Sequence, residues 1–444
     1  MKANAAINAP AVSAAVQPQA MVPSLDLSII IPALHEGPNL TLLLPEIRAV
    51  VEDLGVTWEI LIVTREVDSQ TLAAAEKAQA LVLEQQERGY GGALVTAFRA
   101  ARGAYLLTID ADLSHKPTFI RDLWGSRKVA EILVASRYVT GGTAHMPALR
   151  YVLSRVINLF FGLGLSLPIR DLSSGFRLYK AEAVRHQQLA ARDFDILQEL
   201  LVRTYAEGWH ALEVPFHYAP RRHGSSNARV LRFGLAYLRT FWSLWKLRNS
   251  ILCADYDARA YDSRIPLQRY WQRRRFHHIT ELIRGHGAVL DVGCGSSRII
   301  AALPPGSVAL DVLLRKLRYA RRFGTALVQG SGCALPFADG AFPCVLCSQV
   351  IEHVPKESPL LDELCRVLAP GGRLVLGTPD YANWQWVMIE KFYGWAVPGA
   401  YADEHISHYS RRELIERFES RGFTLEAVRY ILRGELIVAL RKGR

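Results

Sequence analysis

The chain has 444 residues, half of them hydrophobic, and a formal charge of +11 at pH 7. That length excludes a single ordinary core and implies two or three domains, each with enough apolar residues to build a real interior. The positive balance points to an anionic partner: nucleic acid, acidic lipid or phosphorylated small molecules. The six cysteines are scattered. Cys344 and Cys347 have C-x-x-C spacing, but they lie in the apolar run CVLCSQVI, which reads as a strand. Three apart on a strand, they point to opposite faces. Zinc or redox use is therefore not expected, and reduced thiols in a cytoplasmic protein fit better.

In chain order, residues 1–24 are rich in Ala, Pro, Gln and Asn and read as a disordered tail rather than a signal peptide. From Leu27 the chain alternates strand-like and helical runs: LSIIIPAL, then NLTLLLPEIRAVVEDLG, WEILIV, TLAAAEKAQA and AYLLTIDAD. This alternation predicts a mainly parallel α/β sheet. The longest apolar run, Val156 to Ile169, is shorter than the roughly 18 to 20 residues that a spanning helix needs, so no transmembrane helix is expected. A second α/β series opens near Gly285 with AVLDVGCG, SVALDV, FPCVLCSQV and GRLVLGTP. The boundary falls near Cys253 to Arg264. The predicted units are residues 25–228, a basic amphipathic helix at 229–250, a linker at 251–263 and a second domain at 264–444.

The stretch YLLTIDADLSHKP ends a buried strand with two carboxylates, Asp110 and Asp112. Like charges this close resist burial. A divalent cation between them removes the conflict: hard oxygens suit Mg²⁺ or Mn²⁺, which in turn can bridge a diphosphate and neutralise its departure.

The motifs around this pair are SIIIPALHEGPNL, ERGYGGALVTAFRAARG, DADLSHKP, VASRYVTGG, DLSSGFRLY and EVPFHYAPRRHGSSN. In this order, over about Leu25 to Ser250, they resemble the family 2 glycosyltransferases of the GT-A fold, and most closely the dolichyl- or polyprenyl-phosphate sugar transferases. The resemblance implies a nucleotide-sugar donor and a polyprenyl-phosphate or other lipid acceptor. It implies that Pro32 and Glu36 line the nucleotide pocket, and that Gly89, Gly91 and Gly92 allow close approach to the donor. Asp110 and Asp112 would hold metal and diphosphate, Ser136 and Arg137 would meet the acceptor phosphate, and Arg221 and Ser226 would close over the donor. Chemistry in this family is commonly inverting, and an anionic phosphate needs little help from a base. The sequence also departs from the pattern. Thr64 and Arg65 stand where an acidic pair usually reads the base, with Asp68 close but out of register. His35 replaces a common Asn and Asn227 a common Lys. Thr64 and Arg65 keep open a second reading, in which this domain is a degenerate module that recruits the other to membrane lipid.

Between Glu213 and Asp255 there are seven basic residues and no acid. Leu231, Leu235, Leu238, Trp242 and Trp245 form a helical stripe there, with Arg232, Arg239 and Lys246 on another face. Aromatics beside cations suit an anionic membrane surface, and docking on the protein's own core is the competing outcome. Nucleic acid is not expected, because no binding module accompanies the charge. The predicted location is peripheral, on the cytoplasmic face of the membrane.

VLDVGCGSSRI is a strand, a glycine turn and a helix start, and Asp311 follows Asp291 by twenty residues at the end of the next strand. A carboxylate there can accept two ribose hydroxyls. A dinucleotide fold predicts similar spacing, but Arg298 occupies the place of its third glycine. With LPFADGAFPCVLCSQVIEHV, ELCRVLAPGGRLVLGTP and ELIERFESRGF, the half from Arg264 to Arg444 resembles the class I S-adenosylmethionine-dependent methyltransferases of the type 11 kind, a Rossmann-like fold. By that resemblance Asp291, Gly293 and Gly295 contact the methionine part of S-adenosylmethionine and Asp311 the ribose. Ser331 stands where an acid often meets adenine, and Pro343 where Phe-Asp is usual. A hydroxyl acceptor would benefit from a general base. His353, His405 and His408 are the candidates, with His405 preferred. The chain thus reads as a bifunctional transferase that moves a sugar and a methyl group.

Overall fold

The computed structural model describes residues 24–218, 230–396 and 405–444, with the side chains of 230–233 and 392–396 excepted. The expected tail at 1–24 lies outside them, apart from Ser24. The first sheet is built from β1 (Leu25–Pro32), β2 (Trp58–Thr64), β3 (Leu81–Glu84), β4 (Gly103–Thr108), β5 (Ile132–Ser136), β7 (Arg177–Lys180) and β8 (Ala211–Pro215), in the order β3-β2-β1-β4-β7-β5-β8. Two short strands, β6 (Thr143–Ala144) and β9 (His217–Tyr218), pair beside it. β7 is antiparallel to both β4 and β5, and the other pairings are parallel.

Alternation along β1 explains how this sheet makes two cores. Leu27, Ile29 and Ile31 join one buried cluster, and Ile30 joins the cluster on the opposite face. Ser28, also on that opposite face, is buried but satisfied: its hydroxyl donates to Glu59 and accepts the Gly103 N–H. Both faces are covered, as a largely parallel sheet requires.

The second sheet contains β10 (Val289–Val292), β11 (Val308–Asp311), β12 (Ala326–Gln329), β13 (Phe342–Ser348), β14 (Leu368–Pro379), β15 (Phe423–Ile431) and β16 (Glu435–Lys442), in the order β12-β11-β10-β13-β14-β16-β15. Five strands are parallel, and β16 and β15 close the edge antiparallel. The order reverses at β10, which opens a crevice at the carboxyl ends of β10 and β13, where ligands bind in open α/β sheets.

The segment between the sheets differs from the expected spacer. Cys253, Ala254, Asp255 and Tyr256 are buried, and a short helix spans Tyr256–Tyr261. Arg248, wholly buried at the end of the helix Val230–Asn249, grips Asp255 with both ends of its fork at 2.6 and 2.8 Å. Ala254 donates its N–H to the Ala206 carbonyl at 2.9 Å. Beyond it, Arg318 stacks its guanidinium over Trp209, with 4.3 Å to the ring centroid. The second sheet is therefore tied to the first by a packed joint rather than a loose tether.

The helix Val230–Asn249 packs on the first core along one face and leaves another face exposed. Tyr237, Phe241, Leu244, Trp245 and Leu247 pack on the first core, whereas Leu235, Leu238 and Trp242 stay exposed. Trp245 therefore leaves the predicted stripe for the protein side, and the side chain of Leu231 lies outside the described residues. Among the described residues no helix is long and apolar enough to cross a membrane.

Candidate functional site

β4 delivers the first carboxylate pair. Asp112 is buried and Asp110 is about one-third exposed, at 31% of its side chain. The Tyr90 hydroxyl donates to Asp110 Oδ1 at 3.1 Å, and its ring stacks on Phe194 at 4.8 Å. Burial, and then the Asp110 charge, push the Tyr90 hydroxyl well above its ordinary range, so it remains a donor. The Asp110 N–H donates to His115 Nδ1 at 3.2 Å. Burial lowers the His115 pKa against the pull of Asp110 and Asp112, which keeps that ring neutral. Asp112 Oδ1 accepts the Ser114 N–H at 3.1 Å and the Ser114 hydroxyl. A Cβ on Gly175 would lie 2.7 Å from the Tyr90 hydroxyl and 3.1 Å from Asp110 Oδ1, so this glycine keeps the face over Asp110 clear. An oxygen-only pair with one member open fits a hard divalent cation. Tyr90, His115 and Gly175 were not singled out from sequence, although all three sit inside the quoted motifs.

Pro32 closes β1, and Glu36 stands at the start of the helix Gly37–Asp53, accepting the Asn39 amide at 2.5 Å. Across from them Thr64 is buried and donates to the Glu66 carbonyl at 2.9 Å. Asp68 is a helix cap, accepting the Thr71 N–H at 2.7 Å, which explains its displaced register.

Three groups of expected site residues have close partners within the fold. A Cβ on Gly89 or Gly91 would strike the backbone of residues 191–192, at 2.1 and 2.9 Å, and one on Gly92 would lie 2.0 Å from the Glu87 carbonyl. These glycines make room for the protein's own chain, and no approach to a donor is needed to explain them. Ser136 is fully buried and gives its hydroxyl to Glu213 at 2.7 Å. Arg137 is gripped by Asp171, Nε to Oδ2 and Nη2 to Oδ1, both at 2.7 Å, and also donates to Ser173 at 2.8 Å. Its fork is committed within the fold. Arg221 and Ser226, with Asn227, lie outside the described residues.

In the second half β10 ends at Val292, and Gly293 and Gly295 turn the chain with φ of 72° and 58°. Such values favour glycine. A Cβ at Gly293 would lie 2.2 Å from Val350 Cγ2, and one at Gly295 would lie 2.5 Å from Asp257 Oδ2. Asp291 is buried beneath the turn, and burial together with Asp311 pushes its carboxyl up to about 7. Asp311 Oδ2 accepts the Gly295 N–H and Oδ1 the Leu313 N–H, both at 2.8 Å. A carboxylate has about four lone-pair sites, so two remain for hydroxyls. A buried acid with no cation beside it among the described residues, next to a second acid with spare acceptors, fits the ammonium and ribose of S-adenosylmethionine. Ser331 accepts the Cys333 N–H at 3.2 Å, and Pro343 is exposed in β13.

The three candidate histidines come together at the carboxyl ends of β13 and β14. The His353 and His405 rings lie 5.1 Å apart, and His408 stacks on Tyr381 at 3.9 Å. His405 Nδ1 is 2.8 Å from both Glu390 Oε1 and the Tyr381 hydroxyl. Burial lowers the His405 pKa, and Glu390 opposes the shift. Glu352, buried and next to His353 in the chain, is pushed up to about 8 by burial. Glu390 and Tyr381 were not identified from sequence, because only folding brings them to the histidines, and Glu352, beside His353 in the quoted run, was not singled out.

Comparison with known proteins agrees with both halves. Residues 28–187 match "Glycosyl transferase family 2" and residues 290–376 match "Methyltransferase domain". A dolichol-phosphate mannosyltransferase of Pyrococcus furiosus is 29% identical over 237 residues, covering 51% of this chain and 66% of the relative. A low-salt glycan biosynthesis hexosyltransferase of Haloferax volcanii is 26% identical, covering 48% of this chain and 52% of the relative. The chain thus spans between half and two thirds of the length of these relatives. Among solved structures, glucosyl-3-phosphoglycerate synthase of Mycobacterium tuberculosis with Mn²⁺ and uridine diphosphate is 17% identical, covering 50% of this chain and 80% of that one, with a TM-score of 0.40. Magnesium protoporphyrin IX methyltransferase of Synechocystis is 16% identical, covering 42% and 92%, with a TM-score of 0.35. The chain thus joins a segment, residues 28–187, that matches glycosyl transferase family 2 to a segment, residues 290–376, that matches a methyltransferase domain.

Proposed function

We propose that the chain is a bifunctional transferase. Its first domain moves a sugar from a nucleotide donor to a polyprenyl phosphate at an anionic membrane surface, and its second moves a methyl group from S-adenosylmethionine to a hydroxyl of a small molecule, sugar or lipid. The observation that carries this reading is the same in both halves: a pair of carboxylates at the carboxyl end of the parallel strands, Asp110 with Asp112 and Asp291 with Asp311.

In the first domain Asp110 and Asp112 would hold Mg²⁺ or Mn²⁺, which offsets the charge of the leaving nucleoside diphosphate. Tyr90 and His115 hold Asp110 in place from two sides. A phosphate oxygen attacks the sugar's anomeric carbon, and the bond to the diphosphate breaks with its electron pair on the diphosphate. No proton need be removed, so the residues act by positioning. In the second domain Asp291 would pair with the ammonium and Asp311 with the ribose, and the bound sulfonium supplies the electrophilic methyl. The acceptor oxygen forms the new bond to carbon, the old pair returns to sulfur, and the hydroxyl proton passes to His405, which Glu390 and Tyr381 orient.

Two helices support the membrane assignment. The helix Ala148–Gly164 exposes Val152, Val156, Leu159 and Leu163, and its neighbour Val230–Asn249 exposes Leu235, Leu238 and Trp242. Phe160 and Phe241 join them, with ring centroids 4.3 Å apart. Together they offer one broad apolar surface of the kind that marks a membrane or partner site.

A second reading, a sugar-transferase fold that only binds lipid, is favoured by the Arg137–Asp171 lock and by Thr64. Incubating the protein with a panel of nucleotide sugars, polyprenyl phosphate and Mn²⁺ decides between them by mass spectrometry of the lipid. Glycosyl lipid that disappears in Asp112→Asn supports the first reading. Lipid binding without any turnover supports the second.

A further inference from the structure

The cluster around Glu352 is more than a general base with its support. Glu352 is wholly buried, and its Oε2 accepts the Thr378 hydroxyl at 3.1 Å, while its Oε1 is buried with no hydrogen-bond partner among the described residues. An orphaned buried carboxylate oxygen is costly and calls for an explanation such as an ion. One ligand atom from each of Glu352, His353 and His405 lies within 4.8 Å of the other two. Ligands around an ion at about 2.0–2.2 Å stand roughly 3–4 Å from each other, so small side-chain rotations close the gap.

Two further features match a metal centre rather than a base alone. A metal-bound imidazole ordinarily gives its second ring nitrogen to a carboxylate. Glu390 Oε1 already sits 2.8 Å from His405 Nδ1, which assigns Nε2 to the ion. The backbone also fixes the two ligand segments together: the N–H groups of Ile406 and Ser407 both donate to the Glu352 carbonyl, at 2.8 and 3.0 Å.

We propose that Glu352, His353 and His405 form a divalent metal site, distinct from Asp110 and Asp112, that binds a hydroxyl oxygen of the methyl acceptor. Two imidazoles and one carboxylate select a borderline cation such as Zn²⁺ or Co²⁺ over Mg²⁺. The site lies at the donor crevice, because Val350, two residues before Glu352, packs on Gly293. With Nε2 on the ion His405 would not be the base: the ion would acidify the acceptor hydroxyl, and its proton would pass to solvent as the oxygen takes the methyl group. The assignment of the hydroxyl rests on the methyltransferase reading above.

Co²⁺ titration of the full chain in an Asp110→Asn/Asp112→Asn background tests this through visible ligand-field absorption. S-adenosylhomocysteine titration runs in parallel. The expected result is one Co²⁺ bound, competed by Zn²⁺ and not by Mg²⁺. Glu352→Gln and His353→Ala should abolish the bands, and Glu390→Gln should weaken binding about 10- to 100-fold. Circular dichroism and retained S-adenosylhomocysteine binding show that the variants fold. Absence of Co²⁺ binding, or binding unmoved by Glu352→Gln and His353→Ala, overturns the proposal. Co²⁺ bound without any S-adenosylhomocysteine affinity upholds the metal site and removes the methyl-acceptor role.

Discussion

Asp257 fastens the linker to the glycine turn of the second domain through Ser296. Its Oδ2 accepts the Ser296 N–H at 3.0 Å and the Ser296 hydroxyl at 3.1 Å, and Lys316 reaches the same oxygen at 2.8 Å. The turn that would receive the cofactor is therefore shaped partly from outside its own sheet. Asp257→Ala should leave Lys316, nine-tenths buried, without its partner, at a cost of about 2 kcal/mol for hydrogen bonds to a charged group. S-adenosylhomocysteine affinity should fall with it. A fragment beginning at Arg264 should bind this ligand more weakly than one beginning at Ser250. Equal affinities in calorimetry would show that the turn needs no help from the linker.

The lock between Arg137 and Asp171 makes a second prediction. Burial alone would push the Asp171 carboxyl up, but the Arg137 charge and hydrogen bonds hold it below its ordinary value. A depressed carboxyl contributes stability above its unfolded pKa, and that stability is lost as pH falls through the folded one. Removing one partner of a buried pair costs about 3–5 kcal/mol. Asp171→Ala should therefore lower the first domain's melting temperature sharply at pH 7 and much less once the pH has fallen through the lowered pKa of Asp171, where the wild type has lost the pair too. If the lock opens to release Arg137 to an acceptor phosphate, polyprenyl phosphate should bind Asp171→Asn more tightly than wild type.

Much of the architecture was legible in the sequence because apolar runs of strand length announce themselves. LSIIIPAL and VLDVGCG fall on β1 and β10, and Asp110, Asp112, Asp291 and Asp311 stand at or just beyond the strand ends that their runs implied. What escaped depends on partners that arrive from elsewhere in the chain. Arg137 looked available because Asp171 lies 34 residues on. Gly91 and Gly92 looked like ligand glycines because their real neighbours are the backbone of residue 87 and of residues 191–192. Asp257 looked like a linker residue because its partner Ser296 is 39 residues away. Residue type was readable, whereas the occupant of the space beside it was not.

The two-helix apolar surface should hold the protein on acidic vesicles. Leu235 and Trp242 are 71% and 55% exposed, and Lys246 lies 5.8 Å from the Trp242 ring centroid. Flotation with vesicles rich in acidic lipid should weaken with salt, as the charge contribution is screened. Leu238→Glu with Trp242→Glu should remove it, without unfolding the chain, because both side chains point away from the core. Val156→Glu on the neighbouring helix should weaken it as well. Wild-type protein that never floats would return this surface to a protein partner.

The Asp110 site gives a direct metal prediction. Mn²⁺ should raise affinity for a nucleotide diphosphate, and chelator should reverse it. Asp112→Asn should abolish the effect while S-adenosylhomocysteine still binds the second domain. Tyr90→Phe should weaken the Mn²⁺ effect without abolishing it, since it removes one hydrogen bond to Asp110 and leaves the carboxylate.

Asp291 should couple cofactor binding to pH. Burial first, and the neighbouring Asp311 second, raise its carboxyl to about 7, so in the empty domain it is largely protonated below that value. The ammonium of S-adenosylhomocysteine favours the ionised form, so binding lowers the pKa and releases a proton. Affinity should therefore rise with pH, by at most about tenfold per unit, and level off above about pH 7. The empty domain should show the opposite trend in stability. A carboxyl raised in the folded state favours folding when protonated, and that advantage is lost as pH climbs from about 4 to about 7. Other groups titrate across the same range, so the informative quantity is the difference between wild type and Asp291→Asn. The variant should bind more weakly, with a flatter pH profile and a flatter stability curve. Calorimetry in two buffers of different ionisation enthalpy counts the proton directly: a proton released below pH 7 by the wild type and not by Asp291→Asn is the expected result, and equal release by both would place the coupling on another group.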